Sequence, residues 1–487
     1  MADLVIEKVN EVYLKIETEP HVEYELRDRF TFEVPNMKFM PQYRKRHWNG
    51  EIHLFDIRTK RIYVGLLDKV IAFCEKAGYT YKFEPNKFYG LPFEVNEMVS
   101  PEGVKDFMAS ITPLKPRDYQ IEAVSDALRY NRKLLISPTA SGKSFMIYSI
   151  VRFFVNAGKK ILLVVPTTSL VEQMYKDFQD YGWDAENHCH RIYAGRERVN
   201  TNEVTITTWQ SVYQLDRKFF EEYDVVIGDE AHLFKSKSLV GIMDKLHHAK
   251  YRYGFTGTLD GTQTHKWVLE GLFGPSYKVT GTKKLIDEGH LANLDIQCLV
   301  LKYKPKKFDT YEDEIQFLIS HERRNNFIKN LAIDLNGNSL ILFSRVEAHG
   351  KVLYELINKN VSEGRRVFFV HGGVDAEDRE LVREITETQK DAIIVASYGT
   401  FSTGINIKNL HNVIFASPSK SRIRNLQSIG RVLRKGKDKV SAKLYDIADD
   451  LTTGSRKNYT LNHFIERVKI YVQEEFNYDI ISIDIKD

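Results

Sequence analysis

Residues 134–148 read Leu-Leu-Ile-Ser-Pro-Thr-Ala-Ser-Gly-Lys-Ser-Phe-Met-Ile-Tyr. An apolar run leads into a loop of small residues, and a helical-looking apolar stretch follows the Gly142-Lys143-Ser144 turn. Strand, loop and helix in this order are what a phosphate loop needs. Backbone N–H groups at the turn and helix start cradle phosphates, and Lys143 places a point charge on the β and γ groups. Ser144 offers a hydroxyl to a magnesium ion. The general pattern asks for glycine where this chain has Ser137, so the strict match fails at its first position.

A second stretch, Val225-Val226-Ile227-Gly228-Asp229-Glu230-Ala231-His232, puts two carboxylates at the end of a buried-strand pattern. Asp229 is placed to hold Mg²⁺ through water, and Glu230 to polarise an attacking water. Each tract alone is weak, since a Gly-Lys-Ser turn is often a plain surface loop and Asp-Glu-Ala-His a plain solvated helix start. Both after apolar strands, in this order, point to hydrolysis of ATP with Mg²⁺ as cofactor.

The bulk composition permits such a machine without specifying it. A chain of 487 residues is too long for one core and suggests about three domains. With 43% hydrophobic and 28% charged residues it has an ordinary globular composition. A formal charge of +4 allows a nucleic-acid partner but does not argue strongly for one. Cys74, Cys189 and Cys298 lie far apart, which fits a reducing compartment and argues against a disulfide scaffold or zinc site. His188-Cys189-His190 resembles a ligand cluster, yet neighbours on a strand point to opposite faces. No apolar run approaches the roughly 20 residues of a membrane span, and Met1-Ala2-Asp3-Leu4 begins no leader. The expected location is cytoplasmic, in the host cell if the chain is phage-encoded, with no membrane partner.

Along the chain, residues 1–95 read as a small α+β unit. It has strand-like alternation at Glu11–Ile16 and Glu51–Phe55, a hairpin-turn signal at Asn49-Gly50, and a helix from Leu67 to Ala77. Residues 96–116 read as a linker broken by Pro101, Pro113 and Pro116. Apolar strands then alternate with helices over 117–280, at 134–136, 161–165, 204–207, 225–227 and 253–256. The pattern restarts over 281–450, at 340–343, 367–370, 393–395, 413–416 and 443–446. Such alternation implies two tandem α/β domains, each a parallel sheet covered on both faces. Residues 451–487 read as a helical extension, with Leu461, Phe464, Ile465, Val468 and Val472 on one stripe packed onto the second domain.

The second domain carries Gln427-Ser428-Ile429-Gly430-Arg431-Val432-Leu433-Arg434. Arg431 and Arg434, three residues apart, share one helix face, and guanidinium forks suit phosphate oxygens. The alternative is a solvated basic face.

Taken in order, these tracts resemble the motifs of superfamily-two helicases of the DEAH-box type. Within that superfamily they are similar to the recombination and fork-remodelling helicases of T-even phages. Tyr119-Gln120 resembles the adenine-sensing glutamine motif, and Pro138 to Ser144, with Thr139, Ser141 and Gly142, resembles motif I. Pro166-Thr167 resembles motif Ia, and Thr207-Thr208 a later strand-contacting motif. Asp229 to His232 is similar to motif II, and Thr256-Gly257-Thr258 to motif III. Ser344-Arg345 resembles motif IV, Thr403-Gly404-Ile405-Asn406 motif V, and Gln427 to Arg434 motif VI. Asn406 stands where an aspartate is common.

The resemblance implies two tandem RecA-like parallel-sheet motor domains with a small α+β N-terminal domain and a C-terminal helical extension. It implies an ATP site that includes Lys143, Ser144, Asp229, Glu230, His232, Gly404 and Gln427, with Arg431 and Arg434 as arginine fingers. It also implies ATP-driven remodelling of branched DNA, single strands and RNA–DNA hybrids in recombination and repair, by branch migration and fork regression. Recombination or single-strand-binding proteins would then be possible partners.

An independent nucleic-acid candidate lies at Lys38–Trp48, where Arg44, Lys45, Arg46 and Trp48 mix cations with aromatics. The alternative there is a solvated charge run. Contacts by Pro166, Thr167, Thr207, Thr208, Ser344 and Arg345 would position a strand without reading its sequence, so sequence-independent binding is expected. Two other readings stay open: an RNA-directed helicase, and an ATP-switched nucleic-acid clamp with negligible turnover.

Overall fold

Isoleucine, leucine and valine fill the strand Ile161–Val165 and open the strand Val225–Asp229, and every residue of both is buried. A strand apolar on both faces must be covered on both, which a parallel sheet with crossover helices provides. The computed structural model describes residues 2–35, 37–85, 87–90, 96–193, 202–404, 407–417, 419–436 and 439–485. It divides into two units, residues 1–137 with 142–280, and residues 281–487 with 138–141.

In the first unit, seven parallel strands lie in the order Ser276–Lys278, Arg132–Ile136, Tyr251–Thr256, Val225–Asp229, Ile161–Val165, Val204–Thr208, Cys189–Ile192. The phosphate-loop strand and the Asp229 strand therefore flank Tyr251–Thr256, and their carboxyl ends open on one edge. Ligands of open α/β sheets bind outside that edge.

The N-terminal part of this unit has its own sheet, ordered Arg61–Tyr63, Tyr13–Thr18, Leu4–Lys8, Tyr81–Phe83. Leu4, Ile6, Leu14 and Ile16 point to one face and form a core with Val22, Leu26 and Phe30. That core is not closed on itself. Trp267, from the helix Gln263–Phe273, is 5% exposed within it and packs on Phe30 and Phe32 with ring centroids 5.4 and 5.2 Å away. The Arg29 guanidinium covers the same indole at 4.8 Å. At Gly65 the backbones approach so closely that a Cβ would lie 2.1 Å from the Glu270 carbonyl oxygen.

Two local expectations are corrected here. Gly50 takes φ +86°, as its turn requires, but the turn joins no two-residue hairpin. The strand Glu51–His53 pairs with Thr31–Glu33, and between them Pro41 starts the short helix Pro41–Arg44. The supposed linker at 96–116 contains the helix Pro101–Ser110. Pro101 opens it rather than breaking it, with the Ser100 hydroxyl accepting from Gly103 N. Tyr148 donates to Ile111 O at 2.8 Å and Asn96 N to Arg129 O at 2.9 Å, tying the segment down at both ends.

In the second unit seven strands lie in the order Val367–Val370, Ile393–Ser397, Ser339–Phe343, Asn412–Phe415, Ser441–Asp450, Asn293–Lys302, Asn477–Asp484, all parallel. The last strand shows that the C-terminal extension is a helix, Tyr459–Gln473, followed by an edge strand. The helix stripe also differs from expectation, because Val472 is 58% exposed while Leu461, Phe464, Arg467, Ile470 and Tyr471 are buried. An arginine takes a core position there because Asp446 meets it, with Arg467 Nη2 2.7 Å from Asp446 Oδ1. Among the described residues no helix is long and apolar enough to cross a membrane.

Candidate functional site

The first site begins where three neighbouring strands end. After Ile136 the chain leaves the sheet with Ser137 N donating to Thr256 O at 2.7 Å. The loop that follows is internally fixed, since both Ser141 N and Ser141 Oγ donate to Pro138 O, at 3.2 and 2.6 Å. Thr139 is half-buried on it. Ala140 at φ +65° and Gly142 at φ +81° are both left-handed. Left-handed turn residues of this kind are a common backbone setting for anion-binding concavities, with Ser141 N spent on the loop's own closure. Gly142 is required twice over, because a Cβ there would lie 2.2 Å from Gln120 Nε2. Gln120 is buried and its Oε1 accepts from Arg117 N at 3.0 Å; Tyr119 OH accepts from Arg117 Nη1 at 2.7 Å. The glutamine motif therefore packs under the loop.

Lys143 opens the helix Lys143–Asn156 and turns its ammonium to the strand end opposite. Nζ lies 2.8 Å from Asp229 Oδ1 and 2.6 Å from Glu230 Oε1. Burial opposes charge on Lys143, but the two carboxylates outweigh it and hold its pKa above the ordinary lysine value. Burial pushes Asp229 upward despite the ammonium. Glu230 also resists burial, and the charges of Lys143 and His232 carry it well below the usual carboxylate range. Glu230 has φ +50°, a left-handed conformation that costs of order 1–3 kcal/mol in a non-glycine residue and concentrates at functional sites.

Beyond this cluster His232 is hydrogen-bonded to Thr256, while its link to Glu230 is an ion-pair approach only. His232 Nδ1 lies 3.3 Å from Glu230 Oε2 and 3.0 Å from Thr256 Oγ1, and Thr256 Oγ1 donates to Thr258 O at 3.1 Å. The tracts resembling motifs II and III are thus joined through one imidazole. Two partners went unread in the sequence. Tyr181 OH meets Ser144 Oγ at 2.8 Å, and burial pushes that phenol up to about 12. His265 Nε2 meets His232 O at 3.0 Å, while its Nδ1 lies 3.0 Å from Asp260 Oδ2. The spacing Asp260…His265 carries no pattern that would single them out.

The Ser144 hydroxyl and the Asp229 carboxylate are hard oxygen donors. Mg²⁺ is commonly held by one or two such groups together with substrate phosphates. Among the described residues no group of three or more His, Cys, Asp or Glu is arranged as a closed metal cage. The donor chemistry of these two groups fits Mg²⁺ bound together with a nucleotide.

Pro166 and Thr167 follow the strand Ile161–Val165, and Thr167 caps the helix Thr168–Asp180 by accepting from Leu170 N at 3.4 Å. The Thr207 side chain does not serve as expected. It is fully buried and its hydroxyl donates to Ile192 O at 2.9 Å, because alternation along Val204–Thr208 turns it into the sheet. Thr208 Oγ1 is also engaged, 2.9 Å from Ser211 Oγ. In the N-terminal region Arg44, Lys45 and Arg46 are exposed around the end of the helix Pro41–Arg44. Trp48 is half-buried and folds back, its Nε1 donating to Glu51 O at 2.7 Å.

In the second unit, Ser344 N donates to Ser417 Oγ at 3.1 Å, and Arg345 forms a bidentate pair with Glu312 at 2.7 and 2.6 Å. Gly404 ends the helix Tyr398–Gly404; Ile405 and Asn406 lie outside the described residues. The helix Arg422–Val432 presents Gln427 and Arg431 half-buried, with the Arg431 guanidinium 6.0 Å from the Phe401 ring. Arg434 is not on that helix face as expected but in the bend beyond it. The helix stops because Lys439, 4% exposed, donates to Val432 O and, at 3.1 Å, to Arg434 O. A cation capping the last carbonyls is a favoured helix ending.

The comparisons agree with this layout. Residues 4–84 match the family described as DNA helicase UvsW, N-terminal. Residues 113–261 match the res subunit of type III restriction enzymes, and residues 323–436 the helicase conserved C-terminal domain. The ATP-dependent DNA helicase uvsW of Enterobacteria phage T4 is 32% identical over 502 residues, covering 97% of this chain and 98% of that protein. The DNA 3'-5' translocase XPB2 of Sulfurisphaera tokodaii is 24% identical, over 66% of this chain and 79% of its own. The crystal structure of T4 UvsW matches with a TM-score of 0.52 at 30% identity, covering 99% of each chain. A fragment of an HsdR subunit from Vibrio vulnificus YJ016, with a TM-score of 0.59 at 20% identity over 78% of this chain and 71% of its own, shares the fold.

Proposed function

The chain belongs to the UvsW family of ATP-dependent DNA helicases, and from that premise we propose that it remodels branched DNA, migrating junctions, regressing forks and unwinding RNA–DNA hybrids in recombination and repair. The observation that carries the motor part is the cluster of Lys143, Asp229 and Glu230, linked through His232 to Thr256. Lys143 leaves its carboxylates for the β and γ phosphates, and Glu230, held ionised, orients and deprotonates the attacking water. Ser144 and Asp229 hold Mg²⁺, which when bound neutralises charge on the phosphates. Arg431 and Arg434 stabilise charge in the transition state. A change at the γ-phosphate side of Glu230 passes to Thr256 through His232, which supports coupling of hydrolysis to strand movement. Strand contacts by Thr167, Ser344 and Arg345 go to phosphates, so binding is independent of sequence.

The test is ATP hydrolysis measured in parallel with single-stranded DNA, a four-way DNA junction, an RNA–DNA hybrid and structured RNA. Stimulation by the junction and the hybrid is expected. Stimulation by RNA alone would make the chain an RNA-directed helicase, and no stimulation by any of them would make it a nucleotide-switched clamp.

A further inference from the structure

In the second sheet the strands Asn293–Lys302 and Ser441–Asp450 run side by side, with Lys302 opposite Asp450 at their carboxyl ends. The segments that leave these ends bound a pocket of about 310 Å³. From one strand come Lys306, Lys307 and Phe308, and from the other Arg456 and Lys457. All four cations are exposed, and among the described residues none has a carboxylate within 4.0 Å.

Charge runs are often plain solvated surface, but this one is built. Thr453 and Arg456 exchange both backbone hydrogen bonds at 3.1 Å, closing a tight turn that presents Arg456 and Lys457. Lys306 N donates to Leu451 O at 3.2 Å, which fixes the facing wall to the base of that turn. Asn458 is buried beneath, its Nδ2 donating to Asp449 O at 3.0 Å and to Glu314 Oε1 at 2.8 Å. Glu314, the acid in the lining, is turned away from the cations. Its oxygens accept from Tyr459 N at 2.9 Å and from Thr460 N at 2.7 Å, at the start of the C-terminal helix. The Lys306 ammonium stands over Phe317 at 4.1 Å and over Phe308 at 5.3 Å. Positive charge is therefore concentrated by rigid backbone and is not neutralised locally.

Position gives the ligand. Because every strand of this sheet is parallel, the pocket opens on the same edge as Ser344-Arg345 and Ser397. Asn412–Phe415 separates the motif IV strand from the pocket's two strands. Arg345 is already tied to the helix that follows the Lys306–Phe308 wall, through Glu312. A volume near the lower end of small-ligand pockets, which run from about 300 to 1,000 Å³, admits one or two backbone phosphates, and continuity with Ser344-Arg345 favours the translocating strand as their source.

We propose that Lys306, Lys307, Arg456 and Lys457 form a phosphate-binding subsite that extends the single-strand track of the second motor domain past Ser344-Arg345. This inference rests on the proposed DNA-remodelling function. The subsite holds the backbone of the translocating strand where it passes beyond the helicase motifs, and it is indifferent to base identity.

The test uses the full chain with Lys307→Gln, Arg456→Gln and Lys457→Gln combined, all at exposed positions. A control carries the same charge loss at exposed Lys76, Lys359 and Lys390, each changed to Gln. Binding of a fluorescent single-stranded oligonucleotide is followed by anisotropy over a salt series. Each lost phosphate contact lowers the log–log salt slope of single-strand binding by about 0.7. The pocket variant is expected to lose about 2 from that slope and at least about 10-fold in affinity near 0.15 M salt, while the control keeps both. Equal slopes in the two variants would overturn the subsite. Calorimetry with inorganic tripolyphosphate separates the two phosphate sources. Tight tripolyphosphate binding that the pocket variant abolishes, with DNA binding intact, would make this a free-phosphate site and overturn the proposal. Unchanged melting temperature excludes misfolding as the cause of a loss. If the wild-type chain is stimulated by DNA and the slopes agree, the subsite alone fails; if DNA never stimulates the wild type, the proposed function fails instead.

Discussion

Lys143 Nζ lies 2.6 Å from Glu230 Oε1, so the cation assigned to the nucleotide's phosphates is held by the carboxylate assigned to the water. On the proposed function, a nucleotide entering the loop would compete for that ammonium and release Glu230 from it. Activation of the base is thereby tied to occupancy of the loop. Replacing Lys143 with Ala is expected to lower ATP hydrolysis by at least about 10²-fold, as loss of a preorganised charge does. DNA binding should stay close to wild type, since no strand contact is assigned to Lys143. Steady-state hydrolysis and oligonucleotide anisotropy on the same preparation check this; full turnover in the variant would sink the assignment of the loop.

Arg431→Ala and Arg434→Ala are each expected to cut kcat by about 10³–10⁵-fold, the range for arginine fingers in phosphoryl transfer. The KM for ATP should move only a few fold, because the charge they meet develops in the transition state. A rise in KM at unchanged kcat would show ground-state binding instead. Arg434 gives the sharper test, because Lys439 fixes its carbonyl at 3.1 Å just beyond the helix end.

Five strands of each sheet are legible, mainly because the central ones are apolar on both faces. Cys189–Ile192, Ser276–Lys278, Asn293–Lys302 and Asn477–Asp484 are not, and the edge strands among them carry polar or exposed residues. The phosphate loop and Asp-Glu-Ala-His were legible because phosphate chemistry tolerates few residue types at those spacings. What stayed hidden depends on long-range pairing. Arg467 breaks an apolar stripe and reads as surface, yet Asp446, 21 residues earlier, makes it core. Lys439 lies in an ordinary charged segment, and nothing local says that it ends a helix. Pro101 reads as a breaker because a proline at the first helical turn looks, in isolation, like a proline in a linker. Thr207 sits at the expected place in the chain, but its direction is set by strand register.

Arg467 and Asp446 give a stability test of that buried pairing. The guanidinium donates to both oxygens of Asp446 and, at 3.2 Å, to Ser419 O, just ahead of the helix Arg422–Val432. Arg467→Met leaves Asp446 charged and buried, which typically costs about 3–5 kcal/mol. Combining it with Asp446→Leu removes both charges, and part of the loss should be recovered. Hydrogen exchange of the second sheet's central strands measures this. Additive losses in the double variant would show that the two side chains do not act as a pair.

His349 sets an acid limit for the second unit. It is fully buried, with Nδ1 3.1 Å from Ser417 Oγ; burial, then the nearby Arg324 charge, pushes it down to about 3. The folded chain thus keeps the imidazole neutral where the unfolded chain protonates it near 6.5. The unfolded state binds more protons across that window. Stability is therefore full above about pH 6.5 and falls as the pH drops toward 3, by up to about 1.4 kcal/mol per pH unit from this group. Exchange protection of Ser339–Phe343 should weaken from pH 7 to pH 5, and His349→Asn should flatten that dependence. An identical slope in the variant would place the acid sensitivity in other groups.

The exposed cations Arg44, Lys45 and Arg46 test whether the N-terminal patch meets nucleic acid or only solvent. The helix Pro41–Arg44 and the left-handed Arg46, at φ +56°, hold the run on a defined bend, with Arg44 Nε donating to Lys38 O at 3.2 Å. A fixed bend of three cations with no carboxylate within 4.0 Å among the described residues suits a duplex arm at a fork. Trp48 is less suited to stack on a base, because the ring is half-buried and folded back toward Glu51. Changing all three cations to Gln is expected to weaken binding to a four-way junction and to lower its salt slope by up to about 2.7, at about 0.9 per duplex phosphate contact. Single-stranded binding should change less if the strand track runs on the motor domains, as proposed. Trp48→Phe should leave junction affinity within a few fold. A junction slope that the triple variant does not move would make this patch a solvated face, and recognition of branches would then have to come from the motor domains themselves.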